Sequence, residues 1–99
     1  MAMKLILSLY VVSENEKTIG IIDNLRAVLE KNFKEEWQLN VVDVLATPEK
    51  AVENNIFATP TLMRDFPAPV IKALGDIANE KRILGVLTKI DQEKSVIVI

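Results

Sequence analysis

The residues best placed to do chemistry are Ser13, Glu14 and Glu16, which follow an apolar run from Met3 to Val12 and open a helical pattern. A thiol at such a helix start would be acidified by the positive end of the helix dipole. The chain has no cysteine to place there, and no histidine to activate a hydroxyl in its stead. The spacing S-x-x-E over 13–16 therefore reads as a capping box, with the Ser13 hydroxyl accepting the Glu16 amide. Disulfides, thiolate metal sites and thiol redox catalysis are excluded by composition. Gly20, Gly75 and Gly85 are too dispersed to cradle a phosphate. Asp43 stands out within an apolar strand, where an exposed or paired structural role is expected ahead of a catalytic one. No enzyme, metal or cofactor is expected, and a binding module is what remains.

The rest of the composition narrows the partners. The 99 residues carry 12 basic and 14 acidic side chains, so no positive excess points to nucleic acid. Hydrophobic residues make up 49% of the chain, enough for one packed domain, while aromatics at 5% are too few for base-stacking platforms. The longest apolar runs are too short to cross a bilayer, and Met1-Ala2-Met3-Lys4 leads directly into a strand pattern. A soluble, cytoplasmic domain without a membrane partner is expected.

The elements that position these residues follow from periodicity. Met3 to Val12 is almost continuously apolar, the pattern of a strand buried on both faces in mid-sheet. A helix follows, with Ile21, Ile22, Leu25, Val28, Leu29 and Phe33 on one stripe. Gly20 in its second turn costs about 1 kcal/mol against Ala, and close packing is the expected reason for it. Trp37 to Leu45 is a second strand, placing Trp37, Leu39 and Val41 on one face and Val42 and Val44 on the other. Thr47-Pro48 is an N-cap with proline at the first helical position, and the short helix runs to about Asn54. Thr61 to Phe66 and Val70 to Leu74 are strands joined by the stiff Pro67-Ala68-Pro69 turn. Because prolines cannot donate to a ladder, this hairpin is expected at an edge or with a bulge. In the last segment Ile83, Leu84, Val86, Leu87 and Ile90 match a helix, although Arg82 to Ile90 also alternates enough for a strand. Lys81, Arg82 and Lys89 on the remaining face favour the helix. Ser95 to Ile99 is an apolar, β-prone tail that pairs with an edge, fills a groove or aggregates.

Strand, helix, strand, helix, two strands and helix give a thioredoxin-like α/β single domain, βαβαββα, over residues 1–94, with 95–99 as a tail. Ala58-Thr59-Pro60-Thr61-Leu62 sits where that fold opens its third strand, so Pro60 is the candidate cis-proline.

Leu9-Tyr10-Val11, Leu29 to Lys34, Leu39 to Leu45, Ala58 to Leu62, Pro67 to Val70 and Gly75-Asp76, taken in order, resemble the KaiB family of circadian clock proteins. The likeness runs without gaps from about Leu7 to Leu84. The family is also similar to the sensor domain of a clock histidine kinase, and a chain of this length is not expected to carry the kinase. The resemblance implies a non-enzymatic protein that docks on the ring-shaped ATPase KaiC and modulates its phosphorylation cycle, with KaiA-like or histidine-kinase clock components as further partners. It also implies two folds: a thioredoxin-like monomer that binds, and a resting βαββααβ form, often tetrameric.

Carried over by position, the docking residues are Gln38, Leu39 and Asn40 on the second strand and Pro48, Glu49, Lys50, Val52 and Glu53 on the helix after it. The fold-switch segment involves Gly75, Asp76, Gly85, Val86 and Thr88. Val86 and Thr88 stand where the family usually has Gly and Asp, which favours the helix, since Gly and Asp are both weak helix formers. A resting preference for the thioredoxin-like monomer is expected. Gly20, Asn40, Asn55 and Ile71 occupy positions that are commonly basic in the family, so steering toward an acidic partner is reduced. The Ile99 terminus replaces the acidic tail that many members carry. A divergent paralogue is therefore expected, acting with a KaiC-like ATPase other than the main clock one or in stress signalling. The second class of function is a redox-inactive thioredoxin-like module holding a peptide or small molecule near Pro60.

Overall fold

The computed structural model describes residues 4–13, 15–34, 36–88 and 95–99. The elements are β1 (Leu5–Val11), α1 (Glu16–Phe33), β2 (Trp37–Asp43), α2 (Pro48–Glu53), β3 (Thr61–Phe66), β4 (Ile71–Leu74), α3 (Glu80–Leu87) and β5 (Ser95–Val98). They form one five-stranded sheet in the order β2-β1-β3-β4-β5. β1 lies between β2, which is parallel to it, and β3, which is antiparallel. Its flanked position explains the nearly continuous apolar run: Leu5, Leu7, Leu9 and Val11 face one core and Tyr10 faces the other.

Leu25, Val28 and Leu29 of α1 and Ile83, Val86 and Leu87 of α3 bury the first face together with Leu39, Leu62, Ile71 and Ala73. The second face carries a smaller core of Tyr10, Val42 and Met63, against which Ala51 of α2 packs. α1 and α3 therefore share one side of the sheet and α2 covers part of the other. The observed order is βαβαββα with one strand added, and it is not the alternative βαββααβ.

Several local expectations change. The N-cap of α1 is Asn15, whose Oδ1 accepts the Thr18 N–H at 2.9 Å, and not Ser13. Asn caps as well as Ser, and a start two residues later leaves Ser13 at φ 51°, with its N–H donating to Asp43 Oδ1. Thr47 precedes α2 as expected, yet its hydroxyl donates back to the Asp43 carbonyl at 3.3 Å instead of capping. Asp43 is structural: its Oδ1 also accepts the Leu45 N–H at 2.8 Å, shaping the turn into α2.

The β3–β4 hairpin is not at an edge, because β5 lies beyond β4. A bulge is present. Ile6 opposes Phe66 and Leu7 opposes Arg64, which leaves Asp65 without an opposite residue. Gly20 is not packed closely, since a β-carbon there would meet nothing within 4 Å. The last helix ends at Leu87, and Ile90 lies outside the described residues. Residues 95–98 pair in parallel with β4, so the apolar tail joins a sheet edge, one of the outcomes expected for it. Among the described residues no helix is long and apolar enough to cross a membrane.

Candidate docking surface

β2 forms one edge of the sheet, and its alternation sends Gln38, Asn40 and Val42 to the side that α2 covers. Gln38 and Asn40 are exposed and joined by a bond from Gln38 Nε2 to Asn40 Oδ1 at 3.1 Å. α2 is held through the partly buried Ala51, which leaves Pro48, Glu49, Lys50, Val52 and Glu53 in solvent. The structure thus brings seven of the eight candidate docking residues onto one side of the sheet.

Leu39 is the exception. It is buried against α1, so its side chain takes no part in any surface. The carry-over by position ignored the period-2 alternation of the strand, which turns Leu39 away from its neighbours.

Of three exposed apolar residues around α2, only Val52 is among the sequence-derived candidates, and Leu45 and Phe57 were missed. Leu45 in the turn before α2 is 68% exposed, Val52 on α2 is 76%, and Phe57 after α2 is 93%. An aromatic ring left almost wholly in water beside a short helix is the kind of anchor that interfaces use. The signal in the sequence was Ile56-Phe57 between the helix end and Pro60, where only one of two adjacent apolar residues can face the core.

A groove of about 320 Å³ lies on the same side of the sheet, between the end of α2 and strands β4 and β5. Its lining includes Asn54, Asn55, Met63, Lys72 and Val96, and it continues past Phe57 and Ala58 toward Thr61. The Thr59–Pro60 bond is cis, as are Phe66–Pro67 and Ala68–Pro69. Beneath the groove, Tyr10 Oη accepts from Asn54 Nδ2 at 3.0 Å. Burial, followed by the charge of Asp65, pushes the Tyr10 phenol above its ordinary value.

Asp65, the bulged residue, accepts from the Ser8 hydroxyl at 2.6 Å. Burial raises its carboxyl above the ordinary 3.8, with the Ser8 bond opposing the shift. The folded protein therefore holds this proton where the unfolded chain has released it. Stability falls as pH rises from about 4 through the folded-state value, then levels off. Asp65→Asn retains an acceptor for Ser8 and removes the charge. Its stability relative to the parent should be greater at pH 7 than at pH 3, as read by urea midpoints at both values. An equal difference at the two pH values would remove Asp65 as the cause.

Gly75 and Asp76 link β4 to α3, and Gly85, Val86 and Thr88 lie in or just after α3. Val86 is buried in the main core, Gly85 is exposed, and Thr88 donates its hydroxyl to the Leu84 carbonyl at 2.7 Å. Among the described residues no cluster of acidic side chains could hold a metal ion.

A parallel β1–β2 pair, an antiparallel β3–β4 pair entered by a cis-proline and helices on both faces define a thioredoxin-like domain, here without the thiols that give that fold its usual chemistry. The KaiB domain model matches residues 8–89, and the chain belongs to the KaiB family. It is 39% identical over 79 residues to the circadian clock oscillator protein KaiB of Thermostichus vulcanus, covering 80% of this chain and 73% of that one. With the KaiB of Nostoc punctiforme it shares 37% identity over 90 residues, 91% of this chain and 86% of the relative. The solution structure of the N-terminal domain of Synechococcus elongatus SasA superposes with a TM-score of 0.70 at 20% identity, over 86% of this chain and 80% of that one.

Proposed function

We propose that this chain is a non-enzymatic, cytoplasmic KaiB-like regulator that docks on a KaiC-type ATPase and modulates its phosphorylation cycle. The observation that carries this reading is the gathering of Gln38, Asn40 and the outer residues of α2 on one side of the sheet, beside exposed Leu45, Val52 and Phe57. An edge strand offers unpaired backbone groups, the helix offers polar contacts, and the apolar residues offer an anchor. Membership of the KaiB family supports a partner among clock proteins. KaiA-like and histidine-kinase clock components are further candidates, and the arrangement described above is taken as the binding-competent monomer of a protein that can also adopt a resting oligomeric fold.

The test is co-elution with a KaiC-type ATPase under ATP and under ADP. Binding should depend on the nucleotide. Phe57→Ala should weaken it at least tenfold, about 1.4 kcal/mol, without lowering thermal stability, because the ring has little folded surface to lose. Asn40→Lys, which restores a positive charge at the edge, should tighten it. Absence of co-elution in both nucleotide states would reject the docking reading.

The groove beside cis-Pro60 favours one alternative, capture of a peptide or small molecule without chemistry in a stress-signalling role. That reading predicts that Phe57→Ala and Lys72→Ala impair ligand capture while Asn40→Lys has no effect.

A further inference from the structure

We propose that residues 95–99 are a detachable brace, which holds β4 and the entry to α3 in the arrangement described and whose release loosens that half of the domain alone. The brace closes across Gly75. The Ile99 N–H donates to the Leu74 carbonyl at 2.7 Å, and the Asp76 N–H donates to the Ile99 carbonyl at 3.0 Å. Gly75 stands between these bonds at φ +106°, and a β-carbon there would overlap the Ile99 carbonyl oxygen. Both its backbone conformation and this approach require glycine. Five residues further on, α3 begins at Glu80 behind the Asn79 cap.

β5 also supplies the outer partner of β4, pairing Ile71 with Ser95 through Leu74 with Val98. Without it β4 would present a row of unpaired backbone groups. Ile97 and Ile99 pack on the main core. They share with Arg82, Gly85 and Val86 an open cleft of about 500 Å³, which places the strand against the flank of α3. The opposite face of β5 is left in water, with Val96 at 63% and Val98 at 79% exposure. A four-residue strand buried on one face is a low-stability unit, able to open without the rest. β1, α1, β2 and α2 make no part of this clasp, so the inference stands independently of the docking reading.

Amide hydrogen exchange, followed by NMR on the full chain without any partner, tests it. Two variants are compared with the parent: truncation after Lys94, and Ile97→Asp, which leaves the backbone able to pair but sets a carboxylate against the core. In both, amides of Ile71–Leu74 and Glu80–Leu87 should exchange at least tenfold faster while those of Leu5–Val11 stay unchanged. Gly75→Ala should destabilise the full chain more than the truncated one, because only the former has Ile99 to collide with. Unchanged exchange in α3 would overturn the proposal. So would uniform acceleration that includes β1, a truncated chain that is wholly unfolded, or an equal effect of Gly75→Ala in both backgrounds.

Discussion

Arg64→Ala is expected to destabilise the protein by roughly 3–5 kcal/mol, the sum of a cavity and of carbonyl groups left without donors. Arg64 is only 2% exposed, although it is a cation in a central strand. Its Nη1 donates to the Leu87 carbonyl and its Nη2 to the Pro69 carbonyl, each at 3.0 Å. The first contact meets the negative end of α3 and the second fixes the proline turn between β3 and β4. Burial pushes the guanidinium below its ordinary value, and arginine nevertheless remains a cation at neutral pH. One side chain thus ties the last helix to the sheet from beneath. Arg64→Lys should recover only part of the loss, because an ammonium group lacks the planar fork that reaches two carbonyls at once. Urea midpoints of the two variants check the ranking. If Arg64→Ala costs less than 1 kcal/mol, the arginine does not anchor α3.

Val86→Gly combined with Thr88→Asp should cost about 2–4 kcal/mol, and the loss should concentrate in α3. Val86 is 5% exposed, so its removal forfeits most of the burial of a valine, about 1.5–3 kcal/mol. Glycine in a helix interior adds a few tenths of a kcal/mol against valine. An aspartate at the Thr88 C-cap meets the negative helix end, at a cost of about 0.3–1 kcal/mol. Two packings of one chain that differ by only a few kcal/mol would be reordered by a change of this size. Backbone chemical shifts over 76–88 report the outcome directly. Helical shifts retained at full population in the double variant would show that these two positions do not set the preferred arrangement. Size-exclusion chromatography of the same sample should show assembly beyond the monomer if the alternative fold takes over.

Particular residues show where reading the chain succeeded. The apolar stripe of α1 and the split of Trp37, Leu39 and Val41 from Val42 and Val44 follow from residue periods alone, and both appear in the two cores. Pro48 starts α2, and β3 spans Thr61–Phe66 as its pattern requires. These are local properties, set by side-chain alternation and by backbone angles that proline restricts. The double periodicity of the last segment could not be resolved locally. α3 is fixed by Ile83, Val86 and Leu87 entering the main core and by Arg64 at its end, and these contacts join residues far apart in the chain.

The candidate surface divides in the same way. The second strand and the helix after it were legible as elements, but the edge position of β2 was not, and Leu39, carried over by position, turns into the core while Gln38 and Asn40 face solvent. Phe57 gave little warning, since one of Ile56 and Phe57 had to turn outward and only packing against Tyr10, Val42 and Met63 decided that Ile56 stays. The sequence by itself determined the elements, the exclusion of thiol and histidine chemistry and the family resemblance, because residue type, spacing and order suffice for these. Tertiary structure alone decided that an arginine is buried under the last helix, that the tail joins the sheet across Gly75 and that Leu45 and Phe57 stay exposed on either side of α2. Those outcomes depend on which distant backbone groups and side chains meet, and short-range periodicity carries no record of such meetings.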